Sequence, residues 1–262
     1  MKFSYPRGNF PRLCLLGNSN VGKSSLTKLL LSHPQWYKGK VGKTAGSTIR
    51  LTIINDPELN FHVIDLPGFG KMLHSGKETE EYVQKEILRY IELDQKNIFL
   101  MLLVISAERL GDELEKWYFQ KKDSIPLTIE FIQFFLEHEI PTLAILNKID
   151  KLNRFQQKEL IQKFRQVLQD FQITPKGIES DTGLLEIHLT SIKENIGIMQ
   201  LKEIVQKRAA RLDLTMFDPR ESLFDLPKID TKAALDKSKE NKEDTIEKFL
   251  SDDIGMVVHK SK

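Results

Sequence analysis

Cysteine occurs once in these 262 residues, at Cys14. A lone thiol excludes an intrachain disulfide, so the fold must rest on its core, and a reducing compartment is expected. Cys14 sits inside the apolar run RLCLL and reads as a small buried hydrophobe. Long apolar runs are also missing. The longest, IFLMLLVI at 98–105, is far short of the roughly 20 residues a membrane helix needs. The segment MKFSYPRGNFPR has no apolar stretch like that of a signal peptide. No membrane partner and a cytoplasmic setting are therefore expected. Acid is absent from the first 55 residues: nine Lys and Arg come before Asp56. The later 207 residues carry 30 basic and 37 acidic groups, a net of −7. So basic an N-terminal part suits polyanions, either nucleotide phosphates or RNA.

What is present is an alternation of short apolar runs with longer helical patterns. RLCLLG (12–17), RLTIIN (50–55), NFHVID (60–65), IFLMLLVIS (98–106), TLAILN (142–147) and LEIHLTS (185–191) read as strands. Helical spacing occupies 23–33, 75–95, 127–139, 153–171 and 196–212. Near-continuous apolar strands between helices imply a mostly parallel sheet covered on both faces. The short DPEL turn between the second and third strands makes that pair an antiparallel hairpin at one edge. His62 and His188 lie in strands and read as packing residues, and Trp117 and Tyr118 as cover for the core. From about residue 215 the periodicity fades into a run rich in Lys, Asp and Glu. Residues 215–262 therefore read as a charged extension, partly helical or disordered.

Three short motifs carry chemistry. GNSNVGKS (17–24) lies between a strand and a helix. Gly17 and Gly22 let the loop turn its N–H groups toward phosphate oxygens, and the helix N-terminus adds its dipole. Asn18, Ser19, Asn20 and Val21 complete the cradle, and Ser25 follows it. Lys23 can reach the β- and γ-phosphates, and the Ser24 hydroxyl can ligate Mg²⁺. DLPG (65–68) ends the hairpin: Asp65 can hold Mg²⁺ through a water, and the Gly68 N–H, after Leu66 and Pro67, can meet the γ-phosphate. NKID (147–150) follows a strand. The Asp150 carboxylate can accept from the N1 and exocyclic amine of guanine, a donor pair that adenine lacks, while Thr190, Ser191 and Ile192 supply backbone contacts to the guanine oxygen. Between loop and hairpin lies KVGKTAGSTIR (40–50), where Thr44 and Thr48 both have spacing suited to completing a Mg²⁺ shell, and the glycines suit a switch that orders on the γ-phosphate.

GNSNVGKSSL, KTAGST and DLPGFG together resemble the phosphate loop, K-x-x-G-x-T switch element and DLPG-aromatic-G of the EngB family of TRAFAC GTPases. The resemblance covers about residues 10–212. The stretch SIPLTIEFIQFFLEHEIPTLAILNKIDKL is similar to the archaeal branch. It implies a three-layer Ras-like G domain over 12–214, with a six-stranded sheet, after an N-terminal segment 1–11. It implies Thr48, flanked by Gly46 and Ser47, as the second Mg²⁺ ligand beside Ser24, with Asp65 behind. Guanine contacts carry over to Asn147, Lys148, Asp150 and the Ser191 backbone. GTP and GDP would be substrate and product, the large ribosomal subunit or its RNA the partner, and the chain a monomer. The family is also associated with cell division and septation.

Phe69 stands where Ras-like enzymes carry a water-orienting Gln. A phenyl ring cannot orient water, so intrinsic hydrolysis should be slow. Asn20 then has two readings. It coordinates K⁺ beside the phosphates, as in related potassium-activated GTPases, or it stabilises the loop turn. The expected catalytic set is Lys23, Thr48, Gly68 and Asn20. Lys71, His74 and Lys77 could face RNA or solvent. The alternative to a ribosome-assembly switch is a protein-directed GTP/GDP switch for division or trafficking effectors, motivated by Phe69 and the charged tail.

Overall fold

The computed structural model describes residues 6, 8–37, 51–69, 77–120, 125–173 and 184–217, with only the backbone of 77–80. Gly46, Ser47 and Thr48, with Thr44, Lys71 and His74, lie outside the described residues, as does the Lys77 side chain. Most of the expected extension, 218–262, lies outside them too.

Six strands form one sheet in the order β2-β3-β1-β4-β5-β6. They are β1 (Arg12–Gly17), β2 (Thr52–Ile54), β3 (His62–Asp65), β4 (Ile98–Ser106), β5 (Thr142–Asn147) and β6 (Leu185–Leu189). β1 runs parallel to β3 and β4, β4 to β5 and β5 to β6, while β2 pairs antiparallel with β3 at the edge. The expected fold class is the one observed. Every residue of β1 and β5 is buried, which is why those strands read as unbroken apolar runs.

Helices α2 (Lys77–Asp94), α3 (Ala107–Leu114), α4 (Leu127–Glu137) and α5 (Arg154–Asp170) cover one face, with Ile87, Leu110, Ile132 and Phe164 in that core. α1 (Lys23–Leu30) and α6 (Ile198–Ala210) cover the other through Leu26, Leu201 and Val205. No described helix is long and apolar enough to cross a membrane.

Two elements depart from the sequence reading. α1 stops at Leu30, not at His33. Leu31 turns extended, and the next amide, Ser32 N–H, goes to Asp56 Oδ2 at 2.7 Å, joined by Ser32 Oγ to Oδ1 at 2.6 Å. A buried carboxylate in the turn of the β2–β3 hairpin thus ends the helix. α3 and the π-helical turn Glu115–Phe119 occupy a segment to which the sequence assigned no element. Its apolar positions are few, and its charged residues work locally: Glu113 caps the next helix, accepting from Thr128 N and Thr128 Oγ1 at 2.9 Å each. Tyr118 packs on the core against Phe119 and Phe171 and donates to Asp170. Trp117 is half-buried under Lys116.

The end of the sheet opposite the loops is clamped by charge. Arg12, 1% exposed, pairs with Asp94 and donates to Gly8 O at 2.6 Å. Asn97 Nδ2 donates to the other Asp94 oxygen at 2.8 Å. His62 stacks on Phe10 at 4.4 Å beside Arg12, and His188 donates to Gly197 O at 2.7 Å, so both histidines pack as expected. Burial, then the Arg12 charge, pulls the His62 pKa down to about 4.

Removing one member of a buried pair leaves an uncompensated charge. Arg12→Met should therefore cost about 3–5 kcal/mol in urea unfolding, and adding Asp94→Leu should recover most of it. The depressed His62 has a pH signature. Between about pH 4 and 6.5 the unfolded chain binds a proton that the folded chain refuses, so stability is full above 6.5 and falls as pH drops toward 4. Urea midpoints across that window should flatten in His62→Phe relative to the parent chain.

Candidate functional site

The parallel strands send their C-terminal ends to one edge of the sheet, and β1 lies where the strand order reverses, with β3 on one side and β4 on the other. The loops after β1, β3, β4, β5 and β6 therefore meet there.

The first loop is held from both sides. Gly17 ends β1 so close to β4 that a Cβ would lie 2.3 Å from Val104 O. Gly22 begins α1 at φ 101°, and a Cβ there would lie 2.4 Å from Asn147 Nδ2 and 3.1 Å from Ile192 Cδ1. Only glycine lets the β1, β5 and β6 loops close on one another. α1 has no side-chain cap and no acid in its first turn, so its leading N–H groups and the positive end of its dipole face the loop's concave side.

Three consecutive carbonyls of the loop are tied from outside by three side chains. Arg109 Nη1 donates to Ser19 O at 3.0 Å, Lys148 Nζ to Asn20 O at 2.5 Å, and Asn147 Nδ2 to Val21 O at 2.7 Å. With its carbonyls drawn outward, the peptide units turn their N–H groups inward. Asn20 is exposed and left-handed, at φ 64°, a conformation Asn tolerates better than most residues. That backbone is what the turn reading of Asn20 expects.

Beneath the loop lies Asp65, fully buried at the end of β3. Its Oδ1 accepts from Lys23 Nζ at 2.6 Å, and its Oδ2 from Ser24 Oγ at 3.2 Å and Tyr37 OH at 2.7 Å. Lys23, 7% exposed, supplies the charge that makes this burial tolerable. Burial, then the Asp65 charge, pushes the Tyr37 phenol well above its usual value, so it remains a donor. A hydroxyl and a carboxylate 3.2 Å apart are hard oxygen donors of the type Mg²⁺ takes alongside water and phosphate. After Asp65, Leu66 and Pro67 are buried, and Gly68 packs on Ser19. The Phe69 ring turns into the core, 5% exposed and 4.4 Å from Phe131, while Gln84 Nε2 donates to its carbonyl at 2.9 Å.

On the opposite side, Asn147 is 2% exposed and works as a brace, its Oδ1 accepting from Thr190 Oγ1 and Ile192 N, both at 3.3 Å. Asp150 is exposed, with one carboxylate oxygen oriented by Ser191 Oγ at 2.5 Å. Ser191 is itself fixed by paired backbone bonds with Ile196 at 3.0 and 2.9 Å. Burial, with Lys151 and Arg109 nearby, draws the Lys148 ammonium below the usual lysine value.

The family described as 50S ribosome-binding GTPase matches residues 12–148, from β1 through the first half of NKID. A protein of Methanococcus aeolicus described as a probable GTP-binding protein EngB is 31% identical over 197 residues, 71% of this chain and 82% of that one. The chain belongs to the EngB family of GTP-binding proteins. A Pyrococcus horikoshii protein of the same description is 38% identical over 141 residues, which span 54% of this chain and 62% of that relative. Among solved structures, a probable GTP-binding protein EngB is 30% identical with a TM-score of 0.62, covering 77% of this chain and all of the other. Era of Aquifex aeolicus, 20% identical with a TM-score of 0.51 over 76% of this chain and 57% of that one, shares the fold.

Within this EngB-type frame, sequence reasoning placed the phosphate-loop residues, Asp65 to Gly68, Asn147 to Asp150 and Thr190 to Ile192 around one crevice, and the structure brings them together. It missed Arg109 and Tyr37. Arg109 follows β4, the one parallel strand whose loop carries no motif, and Tyr37 follows a three-residue 3-10 turn after α1. Position after β4 was the only signal that could have found Arg109. Gly22→Ala adds a methyl to a closed, left-handed junction at a cost of about 1–3 kcal/mol. The expected result is at least roughly 10-fold weaker binding of fluorescent mant-GDP, read by titration, with far-UV dichroism unchanged.

Proposed function

We propose that this chain binds GTP and GDP at the crevice, hydrolyses GTP with Mg²⁺, and works as a nucleotide-dependent switch on the large ribosomal subunit. The observation that carries the nucleotide choice is Asp150, exposed at the loop end of β5 with its carboxylate oriented by Ser191. A fixed anion there accepts two hydrogen bonds from guanine and meets a lone pair, not a donor, at adenine N1. Lys148, Asn147 and the Ser191 backbone support that end of the base. Gly17 to Ser25 cradle the phosphates, Lys23 reaches the terminal ones, and Ser24 with Asp65 would hold Mg²⁺, which neutralises phosphate charge when bound. Thr48, beside Gly46 and Ser47, completes the proposed set, and Gly68 reads the γ-phosphate.

Catalysis needs a group other than Phe69, whose ring is packed on Phe131. Asn20 is the proposed ligand for a K⁺ that would supply transition-state charge; its exposed position on the loop supports this. The ribosomal role is supported by the family's description and by the acid-free first 55 residues.

Asp150→Asn replaces an acceptor with a donor facing guanine N1–H. Mant-GDP affinity should fall roughly 100-fold, the cost of losing charge-assisted bonds of about 1.5–3 kcal/mol, and ADP should fail to displace mant-GDP from the parent chain. GTP turnover should be faster in KCl than in NaCl, and Asn20→Ala should erase that difference; equal rates in both salts would remove K⁺ from the reading. Ribosomal subunits pelleted through sucrose should carry the chain with a non-hydrolysable GTP analogue and not with GDP. Association indifferent to nucleotide would instead favour a protein-directed switch.

A further inference from the structure

Tyr37 belongs to no motif, yet its hydroxyl ends on the most buried acid of the crevice. It is 6% exposed, and its ring packs in the core between α1 and the sheet, with Lys28 Nζ 5.6 Å from the ring centre. Packing alone would be satisfied by phenylalanine. The hydroxyl instead donates to Asp65 Oδ2 at 2.7 Å, a shorter bond than the 3.2 Å one from Ser24 Oγ to the same oxygen. Oδ1 is meanwhile engaged by Lys23 at 2.6 Å. Three donors thus converge on one carboxylate. A hydrated cation seated beside Ser24 would bring water protons as a further set, and Oδ2 is the oxygen nearest to Ser24.

We propose that the Tyr37 hydroxyl is a built-in competitor for Asp65, setting how much Mg²⁺ is needed to lock nucleotide in the crevice. The inference rests on the Mg²⁺ reading of Ser24 and Asp65 given above. Tyr37 acts through Asp65, so it is a positioning residue and not a ligand. In the metal-free state it satisfies an oxygen that would otherwise be buried with a weaker partner set. A water of the bound cation would compete with the phenol for that oxygen and weaken the bond from Tyr37. The device therefore weakens metal binding without touching phosphate or base.

Tyr37→Phe keeps the ring and removes only the hydroxyl. Mant-GDP dissociation from the full chain, followed by chase with unlabelled GDP across a series of free Mg²⁺ concentrations, reads the effect. The Mg²⁺ midpoint for slowing release should fall roughly 10-fold in the variant, as expected for one hydrogen bond to a charged acceptor. An unchanged midpoint overturns the proposal. So does a raised one, which would make Tyr37 a support for the metal. If release from the parent chain ignores Mg²⁺ altogether, the Mg²⁺ reading of the site fails as well, so the two failures are distinguishable. Should Tyr37→Phe not fold, a tyrosine difference spectrum of the parent chain decides. Adding Mg²⁺ to the GDP complex should perturb a tyrosine, and a flat spectrum overturns the inference.

Discussion

A fully buried carboxylate is the constraint around which the crevice is arranged. Moving an isolated carboxylate into a low-dielectric interior costs far more than a domain's net stability, so Asp65 at the end of β3 cannot exist without partners. Lys23, Ser24 and Tyr37 supply them. Lys23 and Ser24 end the phosphate loop and open α1, and Tyr37 comes from the segment beyond α1. Asp65 therefore fixes where α1 sits against the sheet as well as the charge of the site. The same electrostatics make the site responsive. Lys23 offsets the acid, and any polyanion that draws Lys23 toward itself must be accompanied by another cation at Asp65. On the proposed reading, coupled binding of phosphate and divalent metal follows from this one buried charge.

The loop above Asp65 gains its shape from outside. A phosphate cradle needs several N–H groups pointing the same way, and peptide planes do not adopt that arrangement unaided. Arg109, Lys148 and Asn147 each hold one of three successive carbonyls. They come from α3, which follows β4, and from the end of β5 with the residue after it, so the loop is tied to two neighbouring inner strands of the sheet. The arrangement also joins the two ends of the crevice. Asn147 braces the phosphate loop and the β6 loop in one step, and Gly22 makes room for its amide. A change at the base end is thus felt at the phosphate end through a single buried side chain.

Legibility in the sequence followed the nature of each interaction. β1 and β5 were readable to the residue because burial on both faces leaves an apolar run with sharp ends. Asp65 and Asp150 were placed at the crevice because their motifs follow strands in series with the phosphate loop; DLPG by itself is a common turn. Arg109 was not: its partner is a backbone carbonyl, which any residue provides, so no pairing pattern marks it. Tyr37 was hidden likewise, since a tyrosine after a helix reads as packing until its hydroxyl is located. The premature end of α1 depended on Asp56, distant in sequence, whose own environment shows why local propensity lost. Burial pushes its carboxyl up, and hydrogen bonds from Ser32 and Glu58 outweigh that and hold it low. A charged acceptor that well satisfied outcompetes one more helical hydrogen bond.

Phe69 shows packing and chemistry in direct opposition. Its ring contributes roughly 1.5–3 kcal/mol by staying out of water, and the Phe131 contact adds an aromatic term of about 0.5–1.5 kcal/mol. Turning it toward the phosphates would forfeit both and still give no group able to hold water. On the proposed reading, slow turnover is therefore a consequence of core packing. An accelerating charge must then enter from the open side of the loop, where Asn20 sits exposed above a carbonyl already fixed by Lys148. Because α4 carries Phe131 and Glu113 of α3 caps α4, while Arg109 of α3 holds Ser19 against Gly68, the residue that would read the γ-phosphate and the ring beside it belong to one closed circuit of contacts. A partner that shifted α3 or α4 would move both together.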